Sequence, residues 1–229
     1  MEIQKKDSCY HAEKIWQELV KITAEIYRRT GGLKLTAQEL EISELKVRKL
    51  LITAGEYENQ MSAEVGRLYR EGMTVQEIQS LTGLGKSSVN GYLPYTKAVY
   101  NAGEISRNAE RIRKYRARQR CVEELLKEPD EERLWQAVIE FQNYPFTTFS
   151  GLSYTYQLKV GKNGSYNKEM LINRREKSKS LTWSSVRLAF DKALLRKGEV
   201  IEKPKALGDI RGISYIYPIF VRFGLILTK

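Results

Sequence analysis

The clearest alternation of hydrophobic and polar positions lies in residues 74–93, TVQEIQSLTGLGKSSVNGYL. Val75, Ile78 and Leu81 recur every three residues, which predicts a short helix with one apolar side. A second short helix is expected after a glycine-containing turn. Val89, eleven residues after Ile78, is predicted to face the same small core.

Local signals mark the ends of these two helices. Thr74 is a good helix cap, and Glu77, three residues later, completes the spacing of a capping box. Gly83 and Gly85 predict a turn in which backbone of positive φ is needed. The second helix is then expected to begin at Lys86 or at the serine that follows it.

This pattern resembles the helix-turn-helix units of bacterial transcription regulators and, more loosely, the promoter-binding region of sigma factors. The resemblance implies that the second helix enters the major groove of DNA. The residues expected to contact bases or phosphates are Lys86, Ser87, Ser88 and Asn90. An Asn side chain at position 90 suits adenine. The alternative is a helical hairpin that only packs.

Residues 36–54, TAQELEISELKVRKLLITA, repeat the pattern less completely. Ile42 and Ser43 are predicted to form the turn and the cap between two helices. The inward positions of the second helix are Val47 and Leu50 or Leu51.

The upstream copy departs from the family at two positions. Thr36 stands where an aliphatic residue is usual, and Glu41 stands where a turn glycine is usual. Lys46, Arg48 and Lys49 are nevertheless expected to face outward, toward phosphates or base edges. A purely structural three-helix pack is the alternative. Two such units could recognise adjacent parts of one site, or one could bind while the other docks.

Residues 104–127 contain no helix breaker and predict one long helix. Arg107, Arg111, Lys114 and Arg118 follow one another at helical spacing and are expected to form a basic stripe that lies along phosphates. The alternative is a solvated face that pairs with the acidic residues between 123 and 132.

The C-terminal third predicts a small α+β domain. Residues 154–160 alternate as a strand with one buried face, an Asn-Gly turn follows, and residues 169–173 are expected to return. Helices are predicted for 182–197 and about 212–223. A basic run between the hairpin and the first of these helices is expected to bind phosphates through Arg174, Arg175, Lys177 and Lys179.

Charge changes this picture by pointing to an anionic partner. The chain of 229 residues has a formal net charge of +11 and an isoelectric point near 9.5. Residues 151–229 hold 16 Lys and Arg against six Asp and Glu, an excess of ten, so the C-terminal third carries nearly all of it. Nucleic acid is the expected partner, although the excess does not coincide with the two helix-turn-helix patterns.

Little in the sequence supports catalysis. His11 is the one histidine, Cys9 and Cys121 are isolated, and no phosphate-binding loop of the required spacing is present. The sequence therefore predicts neither an enzyme nor a bound cofactor or metal. The two cysteines suit a reducing cytoplasm, and the apolar stretch 213–227 is too interrupted to span a bilayer, which needs about 20 apolar residues.

Together these patterns predict a mainly α protein with tandem helix-turn-helix units, a long basic helix and a basic α+β domain with a β-hairpin. The expected segments are 1–60, 61–103, 104–145 and 146–229. The predicted function is sequence-specific binding of double-stranded DNA by a cytoplasmic regulator of bacterial or mobile-element type, possible as a homodimer, with any small-molecule effector unknown. The alternatives are an accessory DNA-binding factor in replication, partition or recombination, and a nuclease whose site lies in the C-terminal domain.

Overall fold

The structure, a computed structural model, describes residues 2–95, 99–162, 164–173 and 179–228, with side chains from His11 onward except that of Lys179. The described chain is mainly helical and carries a small antiparallel sheet in its C-terminal part, as the sequence predicts. It forms two compact units, Met1–Tyr115 and Arg116–Lys229, a coarser division than the four expected segments.

The N-terminal unit is built from helices. Their bounds are α1 (Glu2–Thr30), α2 (Leu33–Leu40), α3 (Glu44–Ala54), α4 (Gln60–Arg70), α5 (Val75–Thr82) and α6 (Lys86–Tyr92). A longer helix, α7 (Ala102–Lys127), begins in this unit and ends in the next, because the boundary between the units falls inside it.

Two apolar clusters hold α1, α2 and α3 together. Leu19, Ile26 and Leu50 lie in the first cluster, to which α7 contributes Ile112. The second contains Val47 and Leu51 of α3 with alanines of α1 and α2. Val47, Leu50 and Leu51 are all fully buried. The predicted inward positions are therefore confirmed, and both leucines face inward where one of the two was expected.

The turn between α2 and α3 forms without a glycine. Glu41 adopts a left-handed conformation, with φ 53° and ψ 44°, and its backbone N–H donates to the helix end. Ser43 then caps α3 as predicted, because its hydroxyl accepts a hydrogen bond from the backbone N–H of Lys46 at 3.2 Å. Thr36, the other departure from the family pattern, is buried, and its hydroxyl donates to the Gly32 carbonyl.

The C-terminal unit combines helices with one sheet. Its elements after α7 are α8 (Glu131–Glu140), β1 (Phe146–Thr147), β2 (Ser153–Val160), β3 (Tyr166–Asn173), β4 (Lys179–Thr182), α9 (Trp183–Leu195), a short 3-10 helix (Pro204–Leu207) and α10 (Ile213–Arg222). The strands form an antiparallel meander in the order β1-β2-β3-β4.

The register of β2 and β3 explains one error in the predicted strand pattern. Tyr154, Tyr156 and Leu158 are buried as expected, whereas Val160 is 58% exposed. The pairing shifts between Leu158 and Val160, so that Val160 faces Tyr166 near the end of the hairpin. Between these two pairs β2 advances by two residues and β3 by four, so the regular ladder is interrupted just before Val160, which lies outside the core.

Strand β4 was not predicted. The sequence suggested a basic connection up to Thr182, but Lys179–Thr182 pairs with β3, where Leu181 faces Met170. Leu181 is buried, and it is the residue through which this short strand joins the core. Four residues are too few for an alternating pattern to stand out from a loop.

A large aromatic core joins the sheet to the helices of this unit. Phe141, Tyr156, Phe220 and Phe223 are almost completely buried in it. The Tyr156 hydroxyl donates to the Val138 carbonyl at 2.7 Å, so that its polar atom is satisfied inside the core. In the described part of the chain, no helix is both long and apolar enough to cross a membrane.

Gly212, at the start of α10, offers a test of this packing. It has a φ of +78°, and a Cβ atom there would lie 1.9 Å from a methyl group of Leu181. We expect Gly212→Ala to lower the free energy of unfolding by about 2–4 kcal/mol, since it combines backbone strain with overpacking. Gly198→Ala is the control because φ is +90° there and nothing lies within 4 Å. Urea denaturation measures the free energy of unfolding of both variants. Equal losses of this free energy would contradict the close packing of Gly212 against Leu181.

Candidate nucleic-acid interface

The turn between α5 and α6 has the local geometry that the sequence predicts. The Thr74 hydroxyl accepts from the Glu77 backbone, and the Glu77 carboxylate accepts from the Thr74 N–H at 2.7 Å, which completes a capping box. Gly83 ends α5 with φ +69°. Gly85 differs from the prediction: its φ is −68° and its backbone is extended, because it serves as the cap residue of α6.

A small apolar core holds α6 against α4 and α5. Val89 is fully buried with Ile78 of α5 and with Val65 and Leu68 of α4. Leu81 was expected to join them but is 64% exposed. Each step of three residues turns about 60° short of a full helical turn, so the third member of the series has rotated past the core.

The polar residues of α6 before Gly91 are exposed. Lys86, Ser87, Ser88 and Asn90 are all exposed, as the sequence predicts. The Asn90 amide donates to the Lys86 carbonyl at 2.9 Å within the same helix. Four hydrogen-bonding side chains are therefore exposed on a helix that is anchored by Val89, and Lys86 and Asn90 share one side of it.

Helix α3, the equivalent helix of the upstream copy, is not open in this way. Lys46 forms an ion pair with Glu104 and donates to Asn108 of α7 at 3.2 Å. Burial, and then the nearby charges of Arg111 and Arg107, lower the pKa of Lys46 to about 8. The predicted outward placement of Lys46 is therefore corrected, because α7 covers it.

The two other basic residues of α3 are also partly buried. The Arg48 guanidinium carbon lies 4.6 Å from the centre of the Tyr92 ring of α6, and the Lys49 ammonium lies 5.1 Å from that of Tyr95. The side of α3 that was expected to face outward therefore packs against other residues of the same unit.

The predicted basic stripe of α7 is only partly exposed. Arg107 and Lys114 are exposed, and Lys114 pairs with Glu110 at 3.0 Å. Arg111 is half-buried, and burial lowers its pKa. Arg118 is a correction: it is 3% exposed, and its guanidinium lies over two aromatic rings of the C-terminal unit. Helical spacing predicts which residues share a face, but not which part of that face is covered.

The structure describes only the last residue of the predicted phosphate-binding run in the C-terminal domain. Arg174, Arg175 and Lys177 lie outside the described residues, whereas the backbone of Lys179 begins β4. Elsewhere in the described chain, no group of three His, Cys, Asp or Glu side chains is placed to hold a metal ion.

The residues that join α3 to α6 were not among the predicted site residues. Gly91 is buried against Arg48 and Leu45, and a Cβ atom at position 91 would lie 2.9 Å from an outer nitrogen of Arg48. A glycine inside a helical pattern was the available signal, because it often marks close packing.

No protein-family model, curated protein or solved structure matches the chain.

The capping box of α5 predicts a pH effect. Hydrogen bonds from Thr74 hold the pKa of Glu77 below its ordinary value of 4.5. The stabilisation is thus fully present above that value and is lost as the pH falls through the lowered pKa. We expect Glu77→Ala to destabilise the protein at about pH 6 and much less at about pH 3. Urea denaturation at both pH values measures this, with exposed Glu44→Ala as control; a constant difference would contradict it.

Proposed function

We propose that this chain binds double-stranded DNA sequence-specifically and acts as a transcriptional regulator of bacterial or mobile-element type in the cytoplasm. In this proposal α6 enters a major groove. Lys86, Ser87 and Ser88 contact base edges or phosphates, and Asn90 contacts adenine. The observation that carries the proposal is the exposure of these four polar side chains on α6, a helix that is anchored by Val89 and by the capped turn before it.

Only one of the two helix-turn-helix patterns is assigned to base recognition. The basic side chains of α3 pack against α6, α7 and Tyr95, and Lys46 is already paired with Glu104. An ammonium that has an internal carboxylate partner gains less from a phosphate than one that is surrounded by water. We therefore assign base recognition to α6 and not to α3. A homodimer, which would pair two α6 helices on two half-sites, is part of the same proposal.

The proposal is tested by selecting bound fragments from random and genomic DNA pools at two salt concentrations. A recurrent motif that survives the higher salt supports sequence-specific recognition, because nonspecific phosphate binding weakens steeply with salt. Binding that loses all preference at the higher salt contradicts it. Promoter overlap of the genomic fragments supports regulation.

Removal of two side chains from α6 gives a sharper test. We expect the double variant Lys86→Ala, Asn90→Ala to lose discrimination at the base pairs it contacts by about 1–3 kcal/mol for each lost bidentate contact. The control is Gln17→Ala, Lys21→Ala, which removes a similar exposed pair from α1. Competition binding with single-base mismatches measures the loss, and equal mismatch penalties in wild type and double variant would refute the assignment.

The C-terminal basic run is expected to act differently. The double variant Arg174→Ala, Arg175→Ala should weaken binding to all sequences alike and reduce the salt slope by about two, one for each phosphate contact. Titrations against a specific and an unrelated duplex at several salt concentrations measure both quantities. A loss confined to the specific duplex would contradict this division of roles.

An accessory DNA-binding factor in replication, partition or recombination is the second candidate. The observation that favours it is the charge excess in residues 151–229, which lies away from α6 in sequence and suits nonspecific binding. Location of the genomic sites separates the two candidates, since origins or attachment sites would point to the accessory role.

A further inference from the structure

Arg48 of α3 occupies an unusual environment beside the candidate recognition helix. Its guanidinium carbon lies 4.6 Å from the centre of the Tyr92 ring, and an outer nitrogen approaches the backbone of α6 at Gly91. A side chain at position 91 would displace that nitrogen, because a Cβ atom would lie only 2.9 Å away. Arg48 is therefore held against α6 at Gly91, the residue that follows the exposed Asn90.

One hydrogen-bond donor of this guanidinium, its Nε atom, is unused among the residues that the structure describes. The Nε atom is buried. Buried N–H groups without an acceptor are rare in folded proteins. Lys46, two residues earlier on α3, shows the contrast, because its ammonium is paired with Glu104 and Asn108.

Contact with a tyrosine ring and close approach to a helix backbone restrict the position of a guanidinium without neutralising its charge. The planar fork of a guanidinium can donate two parallel hydrogen bonds to two oxygen atoms of a phosphate. Because Arg48 comes from the neighbouring helix, it would meet the DNA backbone that borders the groove and not the base edges.

We propose that Arg48 binds a DNA phosphate at the border of the groove entered by α6, and that Tyr92 and Gly91 position it there. This inference rests on the proposed function, since it assigns a further contact to the same interface. It makes α3 a phosphate clamp for α6. The upstream pattern then has no DNA site of its own.

The inference is tested by titrating duplex DNA against purified full-length variants, with fluorescence anisotropy at several salt concentrations. We expect Arg48→Met to lower affinity on the order of tenfold for specific and unrelated duplexes alike, and to reduce the salt slope by about one. Arg48→Lys should keep the slope and lose affinity, because an ammonium lacks the planar fork. The control is Arg28→Met, which removes the same charge from the exposed Arg28–Glu56 pair.

Gly91→Ala is a second variant that leaves every charge in place. Its Cβ should move the Arg48 guanidinium away from α6 and lower affinity by a smaller factor, while alanine keeps the helix intact. Thermal unfolding confirms that each variant is folded. Wild-type affinity in Gly91→Ala would overturn the positioning role.

The outcomes separate this inference from the proposed function. Arg48→Met and Arg28→Met with equal affinities and equal slopes would overturn the phosphate contact, whatever the motif selection shows. A wild-type protein without sequence preference, but with a slope that falls in Arg48→Met, would overturn the proposed function and keep the phosphate contact. A wild-type protein that does not bind DNA would overturn both.

Discussion

Several cationic side chains of this basic chain are buried, and each of them needs a partner inside the fold. A cation that leaves water costs free energy unless oxygen atoms or aromatic faces replace the lost hydration. Lys46 has Glu104 and Asn108, whereas Arg118 has the rings of Phe141 and Tyr144 and the carbonyl of Glu140. These compensations link α3 to α7 and α7 to α8 inside their respective units. They also determine which cations remain for an outside partner.

Local signals made much of the fold predictable from sequence. The Thr74 and Glu77 pair and Ser43 each mark a helix start that the structure places as expected, because a cap depends only on neighbours within three residues. The exposure of Lys86, Ser88 and Asn90 could also be predicted from the sequence, since Val89 fixes which side of a short helix faces inward.

Features that depend on distant contacts were not predictable in the same way. The spacing of Arg118 suggested a surface stripe, but its burial depends on Phe141 and Tyr144, more than twenty residues away. The covered face of α3 likewise depends on Gly91 and on Glu104, which helical periodicity does not relate to it. Contacts of this kind can be identified only from the tertiary fold.

The continuity of α7 has a consequence for dividing the gene into independently expressed pieces. Ile112 belongs to the core of the N-terminal unit, whereas Val122 and Leu125 belong to that of the C-terminal unit, all within one uninterrupted helix. A fragment that stops at residue 103 forfeits Ile112, and one that starts at 146 forfeits Val122, Leu125 and the whole of α8. Soluble fragments should therefore overlap, with each carrying its own copy of the helix up to or beyond its last buried residue.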